Sequence, residues 1–126
     1  MSDQEARQVV DAFFKAFNAM DEDGIRVTLH FPHAMIAGVN LTITQKPEDF
    51  VNPTPHYAQT EGWHHSTLDS LKAVQSSLDK VHYLVEFSRC RADGYKYGTY
   101  QGLWILTKID GRWGVKARSI FPPKQS

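Results

Sequence analysis

The sequence predicts an α+β fold in which helices gather on one face of an antiparallel sheet. Three features predict it: a phenylalanine-studded helical repeat near the N-terminus, four long β segments in succession from Trp63 onward, and compact turn signals between the later ones. Ser2 and Glu5 have the spacing of a capping box, so a helix is expected to start there. Val9, Val10, Phe13, Phe14, Phe17 and Met20 then recur at three- and four-residue steps, with Arg7, Asp11, Lys15 and Asn18 on the other face. Three phenylalanines on one face need a broad apolar surface opposite. The segment Asp21 to Gly24 interrupts the pattern, and Ile25 to Phe31 reads as a second, short helix stopped by Pro32.

Ala34 to Val39 and Leu41 to Thr44 read as two short strands joined through Gly38 and Asn40. Pro47, followed by Glu48 and Asp49, suits a first helical turn and starts a third helix, which Pro53 and Pro55 are placed to split. From Trp63 to about Ser77 runs the first member of a meander. In the next strand Val81, Tyr83, Val85 and Phe87 alternate with His82, Glu86 and Ser88, Leu84 being the exception. Arg91-Ala92-Asp93-Gly94 forms a turn, Tyr95 to Lys108 a long strand, Asp110-Gly111 a tight hairpin and Arg112 to Phe121 the last strand. No linker or repeat interrupts this order, so residues 1–126 are expected to form one domain, with only Pro122 to Ser126 and the first residues as loose ends.

Composition excludes several function classes. Lys plus Arg (14) cancel Asp plus Glu (14), and no run of five like charges occurs, so neither nucleic acid nor an anionic membrane surface is an expected partner. The longest apolar runs, such as Leu103 to Leu106, are too short to span a bilayer, and Met1 to Glu5 does not begin a signal peptide; a cytoplasmic protein is expected. The single cysteine, Cys90, excludes an internal disulfide and reads as a packed strand residue. Neither a nucleophile elbow nor a glycine-rich phosphate loop is present, so no nucleotide cofactor is expected.

Several segments together resemble the nuclear transport factor two-like superfamily, which includes polyketide cyclase-like, ketosteroid isomerase-like and scytalone dehydratase-like proteins. They are the Phe-rich first helix, Leu29-His30-Phe31-Pro32-His33-Ala34-Met35-Ile36, Gly62-Trp63-His64-His65-Ser66 and the closing hairpin Asp110 to Ser119. Lys80-Val81-His82, Arg91 to Gly94 and Trp113-Gly114 are similar to segments of uncharacterised bacterial members. The resemblance implies a cystatin-like cone: a curved antiparallel sheet wrapped around the N-terminal helix with two further helices, an open-ended apolar pocket between them, and pairing of two sheets into a homodimer. Leu84, Tyr100, Trp104 and Leu106 read as apolar residues on the second face of the sheet, which fits a covering subunit, the alternative being a monomer in which the third helix covers them.

Ketosteroid isomerase-like members place a carboxylate on the first hairpin, but Ala34 to Val39 contains no acid, so that base is not carried over. Scytalone dehydratase-like and polyketide cyclase-like members place a histidine near the start of the third strand, where His64 and His65 stand. Only one of two adjacent strand residues faces inward, and register decides which. The inward imidazole would serve as general acid or base, with Asp69 as a possible orienting acceptor. Six histidines invite a metal reading, but Pro32 separates His30 from His33 and no carboxylate follows at ligand spacing, so no metal is expected.

The aromatics supply candidate ligand contacts: Phe17, Trp63, Tyr83 and Trp104, joined by His33 at the pocket mouth and by Arg118, which clamps an anion, crosses a dimer seam or forms a surface ion pair. Trp113, alternating with Val115 and Ala117, reads as core, and Arg118 falls on the opposite parity. The favoured function is a small-molecule-binding domain for an apolar or aromatic ligand. The alternative is a cofactor-free lyase, cyclase or isomerase using His64 or His65 with Tyr83, Asp69 or Arg118 in support.

Overall fold

The computed structural model describes residues 2–124. Helix α1 (Ser2–Asn18) carries the expected stripe: Ala6, Val10, Phe13, Phe14 and Ala16 are buried and Phe17 packs against them. The capping box rests partly on the Ser2 side chain, which lies outside the described residues. Helices α2 (Glu22–Arg26) and α3 (Thr54–Glu61) and a 3₁₀ turn (Pro47–Asp49) complete the helical layer. Six strands follow the order β2 (Asn40–Thr44), β1 (Leu29–Ala37), β6 (Arg112–Ile120), β5 (Lys96–Ile109), β4 (Lys80–Cys90) and β3 (His65–Ser76) in one curved sheet.

The third helix divides as Pro53 and Pro55 foretold, but the second helix and the sheet depart from expectation. Asp21 accepts from the Gly24 N–H and caps α2 one turn earlier than predicted, and the helix ends at Arg26. Residues Leu29 to Phe31 belong to β1 instead, because their backbone is claimed by the last strand: Val115 N–H donates to Thr28 O over 2.8 Å, and Leu29 pairs with Val115. That pairing is parallel, so the sheet is mixed rather than wholly antiparallel. The C-terminal tail is also less loose than expected, since Phe121 and Lys124 N–H groups bond to Gln101 O and Thr99 O along β5.

At the β5–β6 hairpin, Asp110 and Gly111 both have positive φ, 53° and 79°, the backbone that a two-residue type I′ turn requires. Across β4 and β5 the register pairs Val81 with Leu106, Tyr83 with Trp104 and Phe87 with Tyr100. All of these face α1, which corrects the sequence assignment of Tyr100, Trp104 and Leu106 to the second face. Leu84 does lie on the far side, opposite Leu103, and Ile105 extends the apolar surface there.

The helix meets the sheet through rings. Phe14 stacks on Trp104 at 5.6 Å between centroids, and Phe13 meets the same indole edge-on at 5.0 Å. The C-terminal end of α1 is fixed by Asn18, whose amide donates to Ser66 O (2.9 Å) and accepts from Ser66 N–H (2.8 Å). Ser66 is buried, so neither backbone group has water as a ready substitute. Asn18→Ala is expected to destabilise the fold by about 1–3 kcal/mol, read as a lowered urea midpoint at unchanged slope. A change below a few tenths of a kcal/mol would show that this clasp contributes nothing.

Candidate functional site

A hollow of about 370 Å³ lies between α1, α3, the 3₁₀ turn and the concave side of the sheet. Its wall is mainly aromatic and aliphatic, including Phe13, Phe17, Phe50, Tyr57, Trp104 and Ile120. The polar groups in the wall are few: His33, Arg118, Arg89, Ser66, two threonines of β2 and Asp49 at the exposed 3₁₀ turn.

Arg118 reaches this hollow because β6 carries an extra residue. Leu106 pairs with Val115 and Ile105 with Ala117, so Lys116 has no counterpart in β5. Before the bulge Trp113 and Val115 face inward; after it Arg118 and Ile120 do, while Ala117 and Ser119 turn outward. Uninterrupted alternation would have put Ala117 in the core and Arg118 outside. Inside, the guanidinium carbon lies 5.0 Å from the Phe13 ring centroid and 5.4 Å from that of Trp104. Burial lowers its pKa to about 10, so it stays cationic at neutral pH.

His33 holds this cation in place. Its Nδ1 lies 3.0 Å from Val115 O, which can only accept, so Nδ1 carries the proton. Nε2 is then the acceptor for Arg118 Nε–H at 3.2 Å. Burial, reinforced by the Arg118 charge, lowers the His33 pKa from 6.5 to about 4, and the ring is neutral at pH 7. His30 is separate: its Nε2 lies 2.8 Å from Arg112 O and its Nδ1 accepts from the Arg112 guanidinium at 2.9 Å, which locks the start of β1 to β6.

The other proposed acid–base residues lie elsewhere. His64 is exposed and His65 half-buried, their Nδ1 atoms 3.0 Å apart, and neither lines the hollow. The inward place in this stretch belongs to Ser66, which Asn18 and the Trp63 indole N–H hold, the latter through Ser66 Oγ at 2.9 Å. Asp69 is the extra residue of a bulge in β3, where Leu68 pairs with Phe87 and Ser70 with Glu86. Its carboxylate takes hydrogen bonds from Ser88, Thr67 and Lys96, which keep its pKa below the usual value despite partial burial. It does not orient an imidazole. Trp63 backs Phe17 edge-on at 5.5 Å, and Tyr83 is fully buried in the core; neither lines the hollow, whereas Phe17, His33, Trp104 and Arg118 all do.

Sequence reasoning missed Arg89, Tyr57, Phe50 and Asp49. The Arg89 guanidinium carbon sits 3.9 Å from the Tyr57 centroid and 4.6 Å from that of Tyr100, and Nη1 pairs with Glu61 at 3.2 Å. Glu61 also accepts from Tyr97 Oη at 2.7 Å; burial, and then this bond to the carboxylate, push the Tyr97 pKa up. A signal for Arg89 was available: it continues the inward parity of Val81, Tyr83, Val85 and Phe87, where a charge is out of place. Phe50 and Asp49 come from a segment without periodicity, and nothing local marks them.

No family model matches the chain, and no curated protein sequence matches it. Among solved structures, it is similar over 98% of its length to a protein of unknown function with a cystatin-like fold from Nostoc punctiforme, at 14% identity, covering 92% of that chain with a TM-score of 0.79. An NTF2-like protein with a cystatin-like fold from Novosphingobium aromaticivorans matches 99% of this chain and 84% of its own, at 11% identity and a TM-score of 0.77. A ketosteroid isomerase-like protein from Erwinia carotovora matches 97% of this chain and 96% of its own, at 17% identity and a TM-score of 0.65. At these identities the likeness establishes the fold: this chain has the cystatin-like, NTF2-like architecture.

The buried imidazole sets a pH dependence. A group neutral in the folded chain down to about pH 4 but protonated near 6.5 when unfolded makes the unfolded state bind more protons between those values. Its contribution is intact above pH 6.5 and falls through that window, by up to about 3 kcal/mol in total. His30, lowered in the same direction by burial, adds to the slope. Urea midpoints measured from pH 7 to 4.5 are expected to fall, and His33→Gln to flatten the profile. An unchanged profile in that variant would contradict the assignment.

Proposed function

We propose that this chain is a binding domain for a small, flat, largely apolar molecule held between α1 and the concave face of the sheet. The observation that carries this reading is the hollow of about 370 Å³ walled by Phe13, Phe17, Phe50, Tyr57 and Trp104, a size and lining that suit a ligand of one or two rings. Turnover by proton transfer is the weaker reading. His33 is the imidazole in the wall, and both its nitrogens are engaged, one by Val115 O and one by Arg118, leaving no free lone pair to accept a substrate proton. His64 and His65 would need to move into the hollow to act.

The reading extends to a homodimer formed through the outer face of the sheet. Leu84, Leu103, Ile105, Ala117 and Ile36 share that face, with Ile36 40% and Leu84 49% exposed. A second copy of the same face would remove this apolar area from water. Cys90, free and buried, suits a reducing compartment, and the cytoplasm is where we place the protein. Among the described residues no helix is long and apolar enough to cross a membrane.

Titration with the neutral probe 2-naphthalenemethanol, followed by side-chain NMR, is expected to give saturable shifts at Phe13, Phe17 and Trp104. Shifts confined to the outer face, or none that saturate, would remove the binding reading. Light scattering is expected to give twice the chain mass for the wild type and a single chain mass for Leu84→Glu. A wild-type monomer at high micromolar concentration would refute the dimer.

A further inference from the structure

The wall of the hollow contains a cation with no counter-ion. Among the described residues no carboxylate lies within 4 Å of the Arg118 guanidinium; the structure's ion pairs engage Arg26, Arg89, Lys96 and Lys124 instead. Among the described residues, only its Nε–H, of five N–H donors, has an acceptor, His33 Nε2. With His33 on the Nε edge of the fork, Nη1 and Nη2 have no protein acceptor among the described residues, and the guanidinium stands in the wall of the hollow beside the Phe13 and Trp104 rings. The second cation in the wall, Arg89, is already neutralised by Glu61. Among the described residues Asp49 is the one acid lining the hollow, and it is exposed. Among the described residues, Arg118 is therefore the one cation of the mainly apolar wall without an ion pair.

We propose that the ligand is a flat monocarboxylic acid, aromatic or otherwise conjugated, whose carboxylate takes both terminal N–H groups of Arg118 end-on while its ring lies against Phe13, Phe17 and Tyr57. This rests on the hollow being a binding site and adds the chemical class of its occupant. The fork spacing matches two oxygens of one planar group. A single free cation suits a monoanion, whereas a phosphate dianion would bring a second charge with no donor prepared for it. Ordering costs are low, because His33 and two ring faces already hold the guanidinium in place.

The test compares 2-naphthoate with 2-naphthalenemethanol by calorimetry on wild type, Arg118→Met and Arg118→Lys. Wild type is expected to bind the acid at least tenfold more tightly than the alcohol. That preference is expected to vanish in Arg118→Met, which still binds the alcohol, and to persist in part in Arg118→Lys. Without ligand, Arg118→Met is expected to melt at a higher temperature than wild type, since it removes an unpaired charge from an apolar site. Equal binding of acid and alcohol to wild type would overturn the proposal while leaving the hollow a binding site. A preference that survives in Arg118→Met would assign the anion to Arg89 and overturn it too. Binding of neither compound would overturn the binding reading and this proposal together. Should Arg118→Met fail to fold, the wild-type comparison and Arg118→Lys still decide.

Discussion

Between Val115 and Ala117 the last strand carries one residue more than its neighbour, and what lines the hollow follows from that insertion. A strand shows alternate residues to alternate faces, so one extra residue exchanges the faces for everything beyond it. Lys116 absorbs the exchange. Trp113 and Val115 close the core beneath α1, and three residues past Val115 the same side of the strand presents Arg118 rather than Ala117. An outward Arg118 would lie beside Leu103 and Ile105, leaving Arg89, which Glu61 already pairs, as the only cation in the wall among the described residues.

That placement is costly, and the cost is only partly offset. Contacts of a guanidinium with aromatic faces contribute about 0.5–2 kcal/mol each, against the desolvation of a half-buried charge that has no ion pair among the described residues. The fold tolerates this because its stability comes from elsewhere. Phe13, Phe14 and Phe87 gather around Trp104, Tyr83 and Leu106 fill the layer beneath, and Asn18 clasps the helix to β3 through both backbone groups of Ser66. His33 contributes by staying neutral: a protonated ring could not accept from Arg118, and would put a second positive charge beside the first.

Periodicity alone revealed those parts of the fold whose contacts are local. The stripe of α1 needs only the three- and four-residue spacing of its phenylalanines, and the β5–β6 hairpin needs only a residue pair that accepts positive φ. The start of β1 was not legible, because Leu29 and Phe31 fit a helical step as well as a strand step. What decides between them is a parallel pairing with β6, more than eighty residues away. Site residues divide in the same way. Phe17 follows from its element, Trp104 was named as a ligand contact but assigned to the wrong face of β5, Arg89 was visible as a charge at an inward parity, and Arg118 faces the hollow by way of a bulge with no marker in its own sequence. His65 stays out because its strand neighbour Ser66 takes the inward place, and His64 precedes β3 and is exposed.

The most direct measurement is the NMR environment of the Arg118 side chain in the free protein. If the bulge at Lys116 turns it beneath α1, its Nε–H proton exchanges slowly with water and shows dipolar contacts to the ring protons of Phe13 and Trp104. Rapid exchange together with contacts to Leu103 and Ile105 would place the guanidinium on the outer face and contradict the account at its base.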